Sequence, residues 1–137
     1  MQSPCVLLVE DEALIALALA DDLEGKGYDV AGPFHRCGDA LEWLGRNTPD
    51  LAIIDIHLRD GSSAELACAL RERGIPFIVF SGEKRDGNVP EAFAGARWLS
   101  KPVSTRQLLE TIGDIAPARA PARPCALAAA GAHALAL

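Results

Sequence analysis

The chain has 137 residues, a formal net charge of -6 and a pI near 5.0. This length leaves room for one domain of ordinary size and a single core, and we expect no second catalytic or DNA-binding domain. The negative charge argues against direct nucleic-acid binding, which depends on Lys and Arg contacts with phosphates.

The start of the chain lacks the pattern of a secretory signal. Its apolar run from Val6 to Val9 is short, and Glu10, Asp11 and Glu12 follow at once. No stretch before residue 117 reaches the roughly 20 apolar residues of a membrane helix. We therefore expect a cytoplasmic protein with no membrane association.

The cysteines do not form a recognisable motif. They are far apart, with no CxxC pair and no His at zinc-binding spacing. We therefore expect free thiols at all four positions, Cys5, Cys37, Cys68 and Cys125.

Short apolar runs predict five β-strands. They span Cys5–Val9, Tyr28–Ala31, Leu51–Ile54, Phe77–Phe80 and, more weakly, Arg97–Leu99. Runs that are apolar nearly throughout suit parallel strands covered on both faces.

Helical patterns alternate with these strands, as in the stripe of Ala16, Leu19, Ala20 and Leu23. The alternation indicates an α/β fold with a parallel sheet. Two capping-box patterns, Ser62 with Glu65 and Ser104 with Gln107, mark helix starts. We place helices near residues 12–25, 38–47, 63–73, 89–94 and 105–115. The fourth of these has little apolar surface, so we expect that segment to be short and mobile.

The end of the chain has a different composition. From Pro117 onward it is rich in Ala and Pro, which predicts a domain over residues 1–116 and a flexible tail over residues 117–137. Residues 126–137 could alternatively form a helix against a partner.

Reactive side chains follow the predicted strands, at the sheet edge where parallel α/β sheets bind ligands. Glu10 and Asp11 end the first strand, Asp55 ends the third, Ser81 ends the fourth and Lys101 follows the fifth. Two carboxylates about 4 Å apart repel by roughly 4 kcal/mol at an effective dielectric of about 20, so the cluster needs a cation or a raised pKa. An oxygen-rich pocket with room for water suits Mg²⁺.

The roles expected of these groups are those of phosphoryl transfer. Asp55 would be the nucleophile toward phosphorus, while Mg²⁺ and Lys101 would neutralise charge on the transferred group. The Ser81 hydroxyl and nearby backbone N–H groups would hold the phosphate. Taken singly, each residue has an ordinary structural explanation; the combination predicts the site.

The chain resembles the receiver domains of bacterial response regulators over about residues 4–116. The resemblance is carried by VLLVEDE at 6–12, DLAIIDIHLRDG at 50–61, FSG at 80–82 and LSKP at 99–102. It implies a flavodoxin-like (βα)5 three-layer sandwich with strand order 2-1-3-4-5. It also implies Mg²⁺ held by Asp11, Asp55 and the His57 carbonyl, with Glu10 acting through water.

The resemblance further implies a phosphoacceptor rather than an enzyme with a separate substrate. Phosphate would come from a sensor histidine kinase or a histidine phosphotransfer protein, and a downstream protein would be bound in response. With no output domain in 137 residues, the chain resembles the stand-alone regulators. Homodimerisation through the fourth helix, fifth strand and fifth helix stays open.

Four positions either depart from the family pattern or are expected to affect the lifetime of the acyl phosphate. Arg59 replaces the usual Pro four residues after the phosphorylated Asp, which would loosen the loop before Asp60. His57 and Glu83 occupy positions that tune the lifetime of the acyl phosphate in this family. Trp98 stands where the family has Tyr or Phe, so its rotamer coupling with Ser81 is one interpretation and plain packing is the other. We expect no role for the His35 side chain.

Two other functions compete with this one. A degenerate receiver would keep the fold as a protein-binding module that is never phosphorylated. A flavodoxin-like cofactor protein or a hydrolase with an Asp nucleophile could share the sheet. The first strand, however, is followed by VEDEAL rather than by a Gly-rich phosphate loop or DxD.

Overall fold

Five parallel strands form the central sheet. The computed structural model describes residues 3–81, 91–93, 96–101 and 104–115. The strands are β1 (Cys5–Val9), β2 (Asp29–Phe34), β3 (Leu51–Asp55), β4 (Phe77–Ser81) and β5 (Arg97–Ser100). Their order is β2-β1-β3-β4-β5, and every neighbouring pair is parallel. The predicted fold class and strand order are confirmed.

Four α-helices lie within the described ranges: α1 (Ala13–Gly25), α2 (Cys37–Leu44), α3 (Ala64–Glu72) and α4 (Thr105–Ile115). Where a helix is predicted near 89–94, the described residues Glu91–Phe93 form a 3₁₀ turn. Two-residue strands at His57–Leu58 and Gly61–Ser62 pair as a small antiparallel hairpin between β3 and α3.

The side chains of the sheet alternate between two apolar cores, which gives the three-layer arrangement. Leu7 and Ile54 belong to the core shared with α2, α3 and the 3₁₀ turn. Leu8 and Ile53, their chain neighbours, belong to the core shared with α1 and α4. All residues of β1 and β3 are buried, as the uninterrupted apolar runs predict.

The two predicted capping boxes have different outcomes. At α4, the backbone N–H of Gln107 donates to Ser104 Oγ (3.1 Å), and the backbone N–H of Ser104 donates to Gln107 Oε1 (3.4 Å), so this box is confirmed. At α3 the box is only half formed: the backbone N–H of Ala64 donates to Ser62 Oγ (3.1 Å), but the helix begins one residue later than predicted, at Ala64, and follows Ser63. The Ser63 hydroxyl points into the protein and donates to backbone carbonyls instead.

The cysteines also differ from expectation. Cys37, which is buried, and Cys68, which is exposed, are free thiols. Cys5 is disulfide-bonded, so the prediction of four free thiols is wrong there, since distance along the chain does not tell which thiols meet in the fold. Cys125 and the predicted tail lie outside the described residues. Within the described ranges, no helix has both the length and the apolar character needed to cross a membrane.

Candidate functional site

The carboxyl ends of the strands bring together four of the predicted residues. Asp55 is the last residue of β3 and Ser81 the last of β4, while Glu10 and Lys101 directly follow β1 and β5. Glu10, Asp55 and Ser81 are all buried, at 1%, 7% and 2% exposure. Parallel strands place their carboxyl ends at one edge, so side chains far apart in sequence meet there.

Lys101 is the cation at the centre of this edge. Its Nζ lies 3.0 Å from Glu10 Oε2, 3.0 Å from Asp55 Oδ2 and 3.9 Å from Glu12 Oε1. Burial disfavours the charged amine, but the hydrogen bonds to Asp55 and Glu10 outweigh that effect and raise the pKa of Lys101. The amine is therefore held as a cation between two carboxylates.

Glu10 is the most strongly buried carboxylate of the cluster. Burial raises the pKa of its carboxyl, and repulsion from Asp55 adds to this, although the backbone N–H of Glu12 (2.9 Å) and Lys101 oppose it. Its Oε1 is buried and has no hydrogen-bond partner in the described structure. A buried acceptor of this kind needs a further donor or a cation.

Asp11 lies at the solvent side of the cluster and pairs with Arg59. Arg59 Nε is 3.6 Å from Asp11 Oδ1, and both side chains are about half exposed. The predicted convergence is thus observed for Glu10, Asp55 and Lys101, while Asp11 pairs with Arg59. Among the described residues, no three Asp, Glu, His or Cys side chains form a group that could hold a metal ion by themselves.

The donors present nevertheless fit a small divalent cation that keeps part of its water shell. Four carboxylates, from Glu10, Asp11, Glu12 and Asp55, face two cationic groups, those of Lys101 and Arg59. The cluster is therefore short of positive charge, and Glu10 Oε1 is an unused buried acceptor. Mg²⁺ prefers oxygen ligands, often takes only one or two protein carboxylates and retains several waters.

Sequence reasoning missed two residues that hold the backbone of the site. The His35 ring donates from Nδ1 to the carbonyl oxygen of Glu10 (2.8 Å), although we predicted no role for that side chain. Ser63 is fully buried, and its hydroxyl reaches the carbonyl oxygens of Asp55 (2.5 Å) and Ile56 (3.1 Å). Nothing in the sequence marks His35, and the helix-start pattern found in the sequence uses Ser62 rather than Ser63.

The other predicted site residues are placed as follows. The His57 side chain is exposed, in the hairpin after Asp55. Trp98 is half-buried in β5 and meets Phe93 edge-on, with ring centroids 6.4 Å apart and planes at 74°. Glu83 lies outside the described residues. The switching role of Trp98 and the lifetime roles of His57 and Glu83 stay predictions.

Comparison with known proteins identifies this arrangement. Residues 6–113 match the family model of the response regulator receiver domain. The chain belongs to this family of receiver domains. It is 36% identical over 111 residues to the transcriptional regulatory protein PdtaR of Mycobacterium tuberculosis, covering 78% of this chain and 54% of PdtaR. The chain thus spans about half the length of that relative.

Two further comparisons extend over nearly the whole of the matching protein. The polar-differentiation response regulator DivK of Brucella ovis is 31% identical over 114 residues, covering 78% of this chain and 91% of DivK. A CheY-like receiver domain structure from Methanospirillum hungatei is 30% identical, with a TM-score of 0.75, covering 82% of this chain and 93% of that one. The receiver-domain fold and family are therefore established for this chain.

Proposed function

We propose that the chain is a receiver that accepts a phosphoryl group on Asp55 in a Mg²⁺-dependent reaction. The donor is a phosphohistidine on a sensor histidine kinase or a histidine phosphotransfer protein. The phosphorylated form then binds a downstream protein. The chain is a phosphoacceptor that assists its own phosphorylation and dephosphorylation, and it acts in the cytoplasm.

One observation carries this proposal. Lys101 Nζ lies within 3.0 Å of both Asp55 and Glu10 at the carboxyl edge of the sheet. A carboxylate at the end of a buried strand thereby lies beside a fixed cation, an arrangement that favours a nucleophile over a structural acid. The same cation can neutralise charge that develops on a transferred phosphoryl group.

The transfer forms a bond between an Asp55 carboxylate oxygen and phosphorus and breaks the P–N bond of the donor. Lys101 pairs with the phosphoryl oxygens, and Ser81, at the end of the adjacent strand, supplies a hydroxyl toward them. Asp11, Asp55 and the His57 carbonyl would hold Mg²⁺, with Glu10 acting through water. When bound, the metal ion supplies charge neutralisation and orientation of the phosphoryl oxygens.

Signalling would follow as a population shift toward one arrangement of the surface beyond Ser81, which includes β5. Moving an equilibrium from 1:99 to 99:1 requires about 5.5 kcal/mol of differential stabilisation. Trp98 is the candidate for the aromatic side chain that changes rotamer in this shift. His57 and Glu83 would set the lifetime of the acyl phosphate. The same surface is where a homodimer would form.

The donor protein would approach over the first turns of α1. Leu14 and Leu17 are 82% and 58% exposed, although both are large apolar side chains. They follow Glu12, which contacts Lys101 at the site. Apolar surface beside a reactive centre suits transient docking of a partner helix, because its burial stabilises the complex without contacting the reacting atoms.

The test is mass spectrometry of the purified protein with Mg²⁺ and acetyl phosphate, beside the Asp55→Ala variant. We expect a gain of one phosphoryl group that requires Mg²⁺ and is absent in the variant. If neither protein gains phosphate, and a phosphorylated kinase also fails as donor, the proposal is wrong and the degenerate binding module takes its place.

A further inference from the structure

We propose that Arg59 is an affinity-determining residue for the divalent cation of this site. Its guanidinium is the counter-ion of Asp11, and it must give way when the cation binds. This inference rests on the proposed Mg²⁺-dependent function.

The backbone around Arg59 is held in place from two directions. The Arg59 N–H donates to the carbonyl oxygen of His35 (3.1 Å), and the His35 ring donates to the carbonyl oxygen of Glu10 (2.8 Å). The next residue, Asp60, accepts hydrogen bonds from the backbone N–H groups of Cys37 and Gly38. The base of the Arg59 side chain is thus fixed beside the acidic loop that follows β1.

The guanidinium, in contrast, is exposed and makes a loose contact. The Arg59 and Asp11 side chains are 49% and 40% exposed, and the Nε to Oδ1 distance of 3.6 Å is that of an ion pair without a close hydrogen bond. Exposed pairs of this kind contribute little to stability, so the contact can open readily. Because the backbone of Arg59 is hydrogen-bonded and its guanidinium is only loosely paired, the pair with Asp11 can open without unfolding the loop.

The two cations of the site divide the carboxylates between them. Lys101 contacts Glu10, Asp55 and Glu12, whereas Asp11 pairs with Arg59. Asp11 is one of the residues that would hold Mg²⁺. A cation bound there must break the Asp11 contact with Arg59 and also stay near its positive charge. Both effects weaken cation binding, and both are screened by salt because the pair faces solvent.

The chain offers a matched control for this argument. Arg97 Nη1 lies 3.7 Å from Asp114 Oδ2, with side chains 53% and 64% exposed. This pair has nearly the same length as the pair of Arg59 and Asp11, and the two Arg side chains are similarly exposed. Arg97 is the first residue of β5 and therefore lies at the amino ends of the parallel strands, whereas Asp55 lies at their carboxyl ends. Removing its charge changes the net charge equally but leaves the site untouched.

The experiment is a calorimetric titration of Mg²⁺ into the unphosphorylated wild-type protein and the Arg59→Gln, Arg59→Lys, Arg97→Gln and Asp11→Asn variants. Circular dichroism checks that each variant is folded. We expect Arg59→Gln to bind Mg²⁺ about three- to tenfold more tightly than wild type at low salt. The difference should shrink at about 0.5 M salt. Arg59→Lys and Arg97→Gln should stay within about twofold of wild type, and Asp11→Asn should bind more weakly.

The outcomes separate this inference from the function on which it rests. If wild type binds Mg²⁺ and Arg59→Gln binds it equally or more weakly, Arg59 does not oppose the metal, and the inference fails while the proposed function stands. A gain shared by Arg97→Gln would also overturn it, since the effect would then come from net charge alone. If no variant and no wild-type protein binds Mg²⁺, the proposed function and the inference fail together.

Discussion

The carboxylate of Asp60 caps the first turn of α2, with Oδ1 accepting a hydrogen bond from the backbone N–H of Cys37 at 2.7 Å. Its Oδ2 accepts a second from the N–H of Gly38 at 2.9 Å. Helix N-termini carry unpaired N–H groups and positive partial charge, so an Asp is favoured there. Because Asp60 lies five residues after Asp55, this cap also connects the loop beyond Asp55 to α2.

The Asp60→Asn variant should melt a few degrees below wild type near neutral pH. Asn keeps one acceptor oxygen, but its NH₂ group cannot accept a hydrogen bond from the second backbone N–H. The substitution also removes the negative charge that stabilises the helix N-terminus. Thermal unfolding followed by circular dichroism measures the difference. Ser104→Ala is the matched control, since it removes a cap at α4, and only Asp60→Asn should also weaken Mg²⁺ binding.

The stability lost in Asp60→Asn should depend on pH. The hydrogen bonds from Gly38 and Cys37 hold the pKa of Asp60 below its ordinary value of 3.8. A group with a lowered folded pKa stabilises the protein above its unfolded pKa and loses that effect as pH falls through the folded pKa. The gap between wild type and variant should therefore be constant from about pH 5 to 8 and close below about pH 4. A gap that persists in acid would mean that the charge of Asp60 is not involved.

Ser63→Ala should destabilise the protein by about 1–3 kcal/mol, because the fully buried hydroxyl is the donor to the carbonyl oxygen of Asp55. The neighbouring Ser62 is exposed, which makes Ser62→Ala the control with an expected loss below about 1 kcal/mol. Urea denaturation of the two variants measures this difference. Equal stabilities would show that the Asp55 carbonyl does not depend on Ser63.

The sheet and the positions of Asp55 and Lys101 can be predicted from the sequence more reliably than the loop contacts. Uninterrupted apolar runs at β1 and β3 identify strands buried on both faces, and Asp55 and Lys101 are read directly as the polar residues that follow strands. Neither inference needs long-range information, since parallel strands share one carboxyl edge.

The loop contacts could not be predicted because they join residues that are distant in sequence and lack a local pattern. Asp60 reaches Cys37 across 23 positions, and His35 reaches Glu10 across 25. At α3 the pattern of Ser62 and Glu65 locates the helix start to within one residue, but it does not show that the hydroxyl of the adjacent Ser63 faces the core. Only the packed structure decides which carbonyls need a donor.

Gly32 and Gly113 should respond in opposite directions to substitution by Ala. Gly32 has a φ of +110°, and an added Cβ would lie 2.7 Å from the carbonyl oxygen of Leu8, so Gly32→Ala should cost about 2 kcal/mol or more. Gly113 lies within α4 with nothing within 4 Å of an added Cβ, so Gly113→Ala should stabilise by about 0.5–1 kcal/mol. Chemical denaturation measures both, and a stable Gly32→Ala variant would contradict the strained geometry.

Replacing Leu14 by Ser should separate docking of the donor protein from the chemistry. The side chain is exposed and does not belong to the acidic cluster. The rate of phosphorylation by acetyl phosphate should therefore stay within about twofold of the wild-type rate. Transfer from a phosphorylated kinase should slow by about tenfold, because the apolar contact is lost. The test compares phosphorylation rates of wild type, Leu14→Ser and the exposed control Lys26→Ser with each of the two donors. Equal slowing with both donors would place Leu14 in folding rather than docking.

Replacing Lys101 by Met should lower stability by about 2–4 kcal/mol near pH 7, because Glu10 and Asp55 would remain buried without their shared cation. Lys101 lowers the pKa of Glu10, which burial already raises, so its removal raises that pKa further. An acid with a raised folded pKa destabilises the protein above that pKa, and the penalty disappears as pH falls below the unfolded pKa. The deficit should therefore shrink between about pH 7 and pH 4.

Urea denaturation across that pH range, with Lys26→Met as an exposed control, measures the effect of Lys101→Met. Added Mg²⁺ should restore part of the lost stability, since a divalent cation can take over the neutralisation of the two carboxylates. The Nζ of Lys101 also lies 5.3 Å from the ring centroid of Phe80. A loss of stability that does not change with pH would show that Lys101 acts through this contact rather than through the charges of Glu10 and Asp55.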